Sequence, residues 1–476
     1  MTDYNLIAIG GGSAGLVTSY IAAAVKAKVA LIERHKMGGD CLNTGCVPSK
    51  ALIKSSRIVA NIRNHKKYGI SSANCEVDFE KVMNRVKEVI KKIEPHDSIE
   101  RYSSLGVECI SGEAKIIDRH TVEVNGKKLT TKNLILALGA DPFVPPIPGL
   151  SEVTWVTSDT IWNLTTLPKK FLVLGGGPIG CELAQAFSRL GSKVTILEKL
   201  PQILPREDKD VAKAMEHAFL SEGINIRIGV GAKEAKKTGQ RQFMLCDDGS
   251  EIDFDVLLIA VGRRARTNGI DWKSLGIELN QNGTIKVDRY LRANGSNIYA
   301  CGDVVGPYQF THVASHQAWY ASVNALFSPF KKFKADYRVI PRVTYTEPEV
   351  GSVGMSEQEA EKSGVSYTVT KYNIDDLDRA IAESEDEGFI KVITKKGKDE
   401  ILGVTIVAHN AGEILSEYTL AMKHNIGLKG IMATIHPYPT MSESNKYVAG
   451  VWTKNHAPQF LLKIVAIYHY IRRNFV

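Results

Sequence analysis

"YNLIAIGGGSAGLVTSYIAAAV" (Tyr4–Val25) decides how the chain begins. An apolar run enters a glycine turn and leaves as a segment rich in small residues. Gly10, Gly12 and Gly15 fit the spacing G-x-G-x-x-G. The first lets the chain turn, the second lets backbone approach a pyrophosphate, and the third lets helix and strand pack closely. Phosphates would sit on the helix N-terminus, where free N–H groups and the dipole favour anions. "KVALIER" (Lys28–Arg34) follows as a second strand carrying Glu33, about 20 residues beyond the turn, as a ribose 2′-hydroxyl partner requires. The stretch predicts a strand–turn–helix–strand unit that binds a dinucleotide.

The pattern recurs in "FLVLGGGPIGCELAQAFSRLGSKVTILEK" (Phe171–Lys199), which offers Gly175, Gly177 and Gly180 and then a strand ending in Glu198. Two such folds imply two dinucleotides. Glu198 would bond a free ribose and repel a 2′-phosphate, which favours NAD(H) over NADP(H), although Lys199 and Arg206 lie close enough to soften that preference. Helical patterns cover Ala51–Lys67 and Phe79–Ile93, and "VLLIAVGRR" and "NIYACGDVVG" return to strand character after the second fold. The expected architecture is α/β, with two Rossmann-like domains, the second nucleotide domain inserted in the first, and an α+β domain from about residue 337. The boundaries read as 1–150 and 266–336 for the first domain, 151–265 for the inserted one, 337–453 for the third, and 454–476 for a C-terminal extension.

With 476 residues the chain is too long for one hydrophobic core. Its 44% hydrophobic and 24% charged residues are ordinary for a globular protein, and the net charge of +8 is modest for this length. Basic residues are not interleaved with stacking aromatics in a nucleic-acid module. The N-terminus lacks a basic leader, and no apolar run reaches the roughly 18 residues that span a bilayer, so the expected location is the cytoplasm.

Seven cysteines are too scattered for a secreted disulfide scaffold. Only Cys41 and Cys46, in "MGGDCLNTGCVPSK" (Met37–Lys50), are close together. They flank a short turn that leads into a helix, so the thiols can meet and a helix N-terminus can lower a thiol pKa. Lys50, one turn on, adds positive charge. Without a second ligand pair nearby, the spacing reads as redox-active rather than metal-binding.

At "GGDCLNTGCVPSK" the chain resembles the class I flavoprotein disulfide reductases, the family of dihydrolipoyl dehydrogenase, glutathione reductase and mercuric reductase. The resemblance extends to about residue 453. It implies FAD on the first fold, NAD(P)H on the second, and a homodimer with a shared active site. Electrons would pass from NADH through FAD and the Cys41–Cys46 disulfide to a small-molecule or protein-borne disulfide, or in reverse. Carried over by position, Cys46 faces the flavin, Cys41 is the interchange thiol, and Lys50 pairs with Glu182. Gly39, Lys50 and Asp303 would contact FAD, the last at its ribityl chain, with Gly112 or Ala114 at the adenine. Gly139 and Gly262 would mark the turns where each nucleotide fold meets its neighbour.

The family's C-terminal loop reads His-Pro-Thr followed by a Glu. Here "IHPYPTMSESNKY" (Ile435–Tyr447) places Tyr438, Pro439, Thr440 and Glu443 there, so a phenol stands where the imidazole is expected. His436 is the alternative proton carrier; a structural role is its other reading. Mercuric reductases resemble this chain in carrying Tyr, and metal-ion reduction is therefore a competing activity. Those enzymes also carry a terminal cysteine pair and an N-terminal metal-binding module, neither of which is found here. "NHAPQFLLKIVAIYHYIRRNFV" (Asn455–Val476) extends past the family's usual end, with Leu461, Ile464, Tyr468 and Ile471 on one stripe and Phe460 and Ile467 beside it. It reads either as a helix packed on the dimer domain or as a basic amphipathic helix on an anionic membrane, near quinones or other small acceptors. A flavin-binding sensor without turnover is the non-enzyme alternative, disfavoured by the intact redox half.

Overall fold

The computed structural model describes residues 2–293, 297–328 and 330–475. The chain divides into two compact units. The first comprises Met1–Pro205 with Phe219–Asp336, and the second Arg206–Ala218 with Tyr337–Val476.

In the first unit, strand Tyr4–Ile9 lies parallel between Val29–Glu33 and the C-terminal part of Lys127–Leu136. Val107–Ser111 flanks Val29–Glu33, and Ile298–Ala300 pairs parallel with the far side of Lys127–Leu136. The sheet is thus completed by a strand that comes after the second nucleotide fold in sequence, as expected of an inserted domain. Its central residues Leu6, Ile7 and Ala8 have no exposed surface, the apolar-run signature of a parallel sheet covered on both faces. Helices Ser13–Ala24 and Thr311–Phe327 pack through small residues, among them Ala14, Ala22, Ala314 and Ala318. The second parallel sheet runs Asn225–Ile228, Lys193–Glu198, Lys170–Leu174, Val256–Ile259 and Trp155–Thr157. Ala140–Pro142 and Arg263–Ala265 form a two-stranded antiparallel ribbon where the chain leaves one fold and returns to it.

The second unit is built on a five-stranded antiparallel sheet in the order Pro341–Thr344, Glu349–Gly354, Ile401–Ala408, Phe389–Lys395 and Tyr367–Asn373. Helices Ala411–Lys423 and Glu443–Asn455 contribute Ile414, Leu415, Tyr418, Val448 and Trp452 to its core. The strand Tyr367–Asn373 is a sheet edge that buries Thr370 and Tyr372 and exposes Val369, Lys371 and Asn373. Lys391, 1% exposed, meets Asp208, Asp210 and Glu357 at 2.9, 2.7 and 2.7 Å. Burial alone would lower its pKa, but these hydrogen bonds raise it, so the ammonium stays charged in the interior.

The C-terminal extension forms the helix Gln459–Phe475. It is not packed on the dimer domain of its own chain: every residue from 459 to 474 is exposed. The expectation of a helix packed on the dimer domain is therefore corrected for this chain's own domain. The apolar stripe, read as an inward face, has no side of this chain to rest on. Among the described residues no helix is long and apolar enough to cross a membrane.

Candidate active site

The first glycine turn is built as its spacing required. Gly10 has φ +108°, and a Cβ there would lie 2.2 Å from the carbonyl oxygen of Ala137. A Cβ on Gly15 would lie 1.7 Å from the Gly10 oxygen, so helix and strand can approach only because this position is glycine. Glu33 receives the Gly11 N–H on Oε2 at 2.5 Å and the His35 N–H on Oε1 at 2.7 Å. The second turn repeats this pattern. Glu198 accepts from the Gly176 and Leu200 amides at 2.6 and 2.7 Å, and Gly180 packs against Gly175. Gly177 faces open space, as a phosphate-approach position should.

Gly12 and Gly39 touch backbone to backbone. A Cβ on Gly39 would lie 2.6 Å from the Gly12 Cα, which brings the redox segment against the nucleotide turn. A cavity of about 810 Å³ opens there, lined by Gly10, Gly12, Glu33, Gly39, Cys41, Cys46, Gly139 and Asp303. Its size, its bare-backbone turn, its helix N-terminus and its ribose acid fit FAD. Gly112 does not line this cavity; its N–H donates to the carbonyl of Glu33, which does, at 2.8 Å. Ala114 packs against the core of the first sheet. Gly262 precedes the ribbon strand, and its carbonyl accepts the Phe143 N–H at 2.9 Å.

Cys41 lies in the short helix Gly39–Asn43 and Cys46 begins the helix Cys46–Arg63, five residues earlier than the apolar pattern indicated. The pair is described in its dithiol form. Cys46 Sγ lies 3.3 Å from Thr311 Oγ1. The Lys50 ammonium donates to Glu182 Oε2 at 2.9 Å, joining the redox helix to the helix Pro178–Leu190 of the inserted fold. The two thiols are unequal. A hydrogen bond from Cys41, then one from Thr311 and the charge of Lys50, bring Cys46 down to about 6 against the opposing effect of burial. That same bond to Cys46, with burial, drives Cys41 upward. Around pH 7 the pair holds one proton, on Cys41.

Five residues around this pair, Arg263, Arg266, Asp159, Trp162 and Thr311, escaped sequence reasoning. Arg263 pairs with Asp40 and lies 3.6 Å from Asp159, while Arg266 reaches Asp40 at 3.7 Å. Burial raises the pKa of Asp303 to about 6, with Arg263 pulling it down and Asp40 and Cys46 pushing it further up. Trp162 Nε1 donates to the Thr44 carbonyl at 2.8 Å between the two cysteines in sequence. Thr311 was the hardest to foresee, since it is 265 residues from Cys46; its only hint is that a helix starts shortly after "ACGDVVG". Replacing Thr311 by Val is expected to move the midpoint of Cys46 alkylation up by about one pH unit, the scale of a hydrogen bond to a charged group. A pH profile of iodoacetamide labelling reads it directly, and an unmoved midpoint would remove Thr311 from the account.

The loop residues sit in the second unit. His436 is held inside: its Nε2 lies 3.0 and 3.1 Å from the Glu417 carboxylate oxygens and its Nδ1 3.1 Å from the Thr434 carbonyl oxygen. Tyr438 points outward, 68% exposed, its hydroxyl donating to Asp378 Oδ2 at 2.8 Å. That bond raises its pKa further. Glu443 is buried and accepts the Thr440 N–H at 3.3 Å, so it braces the loop backbone.

Two thiols of opposed acidity at the mouth of a dinucleotide cradle, with a second cradle in the same unit, define an oxidoreductase that moves electron pairs through a dithiol. The chain belongs to the pyridine nucleotide-disulphide oxidoreductase family, whose model matches residues 4–318, with the family's dimerisation domain matching residues 340–449. It is 32% identical over 456 residues to a mercuric reductase from Lysinibacillus sphaericus, covering 95% of this chain and 83% of that protein. It is 34% identical over 446 residues to a dihydrolipoyl dehydrogenase from Chlamydia muridarum, covering 92% and 95%. Among solved structures it is similar to the HOCl-induced flavoprotein disulfide reductase RclA from Escherichia coli, with a TM-score of 0.85, 28% identity, and 94% and 100% of the two chains covered. The chain is therefore an FAD-dependent enzyme that uses NAD(P)H, and it carries the family's dimerisation domain.

Proposed function

We propose that this enzyme passes electrons between NADH and a disulfide or dithiol substrate through Cys41 and Cys46, in the manner of a dihydrolipoyl dehydrogenase. The inequality of the two thiols carries this reading. Bound FAD supplies a two-electron carrier between the nicotinamide and the pair. Gly10, Gly12, Gly15 and the helix they open would hold its pyrophosphate, Glu33 its ribose and Asp303 its ribityl chain. Gly39 and Gly139 line the same cavity, while Gly175, Gly177, Gly180 and Glu198 would receive the second nucleotide and Gly262 would turn the chain back.

In the dithiol-oxidising direction a substrate thiolate attacks Cys41 of the oxidised pair. A Cys41–substrate disulfide forms as Cys46 leaves as thiolate, and a thiol of low pKa leaves faster. The substrate's second thiolate then closes its own disulfide and releases Cys41, which takes up a proton. Two electrons stay on the pair, with Lys50 beside the Cys46 charge. Each exchange requires a proton to be moved near Cys41, the task of the C-terminal loop.

Anaerobic turnover of the FAD-loaded dimer with NAD⁺ and dihydrolipoamide tests this. The expected rate lies below the enzyme median of about 10 s⁻¹, because a phenol is a poor base at pH 7, and it depends wholly on Cys41. Flavin reduction by NADH without any cysteine-dependent turnover would sink the reading. Reduction of a soft metal ion by the dithiolate is the second reading, favoured by Tyr438 and by the mercuric reductases among the relatives; RclA has been solved as a Cu(II) complex. The same assay run with NADH and Hg(II) separates the two.

Glu198 also makes a prediction. Glu198→Ala removes the carboxylate that repels a 2′-phosphate, and the NADH over NADPH ratio of kcat/KM is expected to fall by about tenfold. An unchanged ratio would place nucleotide choice elsewhere.

A further inference from the structure

From the exposed C-terminal helix we infer that the enzyme docks on an anionic lipid surface through Gln459–Phe475. At 100° per residue, Phe460, Leu461, Ile464, Ile467, Tyr468 and Ile471 fall within one uninterrupted stripe. All six are exposed, Phe460 at 74% and Ile467 at 60%, and none rests on the rest of the chain. The remaining face carries Lys463, Arg472 and Arg473 with His469, Gln459 and Asn474, interspersed with Leu462, Val465, Ala466 and Tyr470. No acidic residue follows Glu443, so Lys454, Lys463, Arg472 and Arg473 stand without a compensating charge.

These features choose the occupant. An apolar stripe flanked by three cations and no acidic residue, on a helix not long and apolar enough to span a bilayer, is suited to lie in the headgroup region with the stripe toward the acyl chains. Anionic headgroups complement the cations. A second copy of the same helix would bring like charges together instead, which disfavours self-pairing. The structured domain of the family ends before this helix begins, since the dimerisation match stops at residue 449. The docking face is therefore an addition to the reductase rather than part of its dimer sheet.

The test is co-sedimentation of the FAD-loaded dimer with vesicles of equal parts phosphatidylglycerol and phosphatidylcholine, against vesicles of phosphatidylcholine alone. The intact enzyme is expected to bind the anionic vesicles, and less so as salt is raised. The triple variant Lys463→Gln, Arg472→Gln, Arg473→Gln should lose about a hundredfold in affinity, at about a fivefold factor per cation. Ile464→Asp with Ile471→Asp should abolish binding. Flavin reduction by NADH should be unchanged in each, which shows that the fold is intact. A chain truncated after Asn455 serves as the control. If it binds vesicles as well as the intact enzyme, or if the intact enzyme ignores anionic lipid, the inference is wrong. It is equally overturned if truncation turns the dimer into a monomer, for then the helix covers a second copy.

Discussion

Cys46→Ser is expected to end disulfide-linked turnover, by more than about 10⁴-fold, the scale on which removal of a covalent nucleophile acts. FAD content and flavin reduction by NADH should survive. The glycine cradle is separate from the thiol, and a serine hydroxyl at the same helix start leaves Lys50 and Glu182 paired. In the wild type, Cys46 alkylation should be half-maximal near pH 6 and fall away as the pH drops through that value and the thiolate is protonated. Cys41→Ser should also abolish turnover. Because the Cys41 hydrogen bond is the largest cause of the low Cys46 value, a change in that bond should displace the alkylation midpoint as well. Flavin absorbance after gel filtration, stopped-flow reduction and disulfide turnover together check these outcomes. Loss of FAD from either variant would show that the pair is structural.

Tyr438→His should raise NAD⁺-linked oxidation of dihydrolipoamide by about 10²- to 10⁴-fold, the worth of a positioned acid–base group. The present phenol is bound to Asp378, and that bond lifts its pKa away from neutrality. An imidazole near 6.5 can both take and give the proton at pH 7. His436 is no substitute, because Glu417 and the Thr434 carbonyl occupy both of its nitrogens and only 5% of its side chain is exposed. Steady-state turnover at saturating NAD⁺ measures the effect. A rate that stays flat while flavin reduction is intact would mean that proton transfer near Cys41 does not limit this enzyme.

What the sequence disclosed is what local geometry determines. Gly12, Gly15, Gly180, Glu33, Glu198 and the Cys41–Cys46 turn each lie within some 30 residues of the partners that explain them. Lys50 and Glu182 came from family resemblance, and their ion pair bridges two folds that no periodicity connects. Thr311, Arg263 and Asp159 were missed because their contacts with the redox segment depend on how distant strands and helices stack. Orientation was equally hidden. His436 and Tyr438 are two residues apart, yet one is clamped inward by Glu417 and the other faces out. The tail shows the reverse failure, since an amphipathic stripe reports a buried face without saying what buries it.

The order of strands in the first sheet also sets a clock. Leu136 ends one strand, and its partner Ile298–Ala300 is synthesised about 160 residues later. At roughly 5–20 residues per second on the ribosome, the edge of Lys127–Leu136 stays open for about 10–30 s while the inserted nucleotide fold emerges and can close on itself. Until then half of the flavin fold presents an unpaired strand of the kind that templates aggregation. Capture of FAD is accordingly a late event in biogenesis, and any lesion that slows the inserted domain lengthens the exposure of the domain around it.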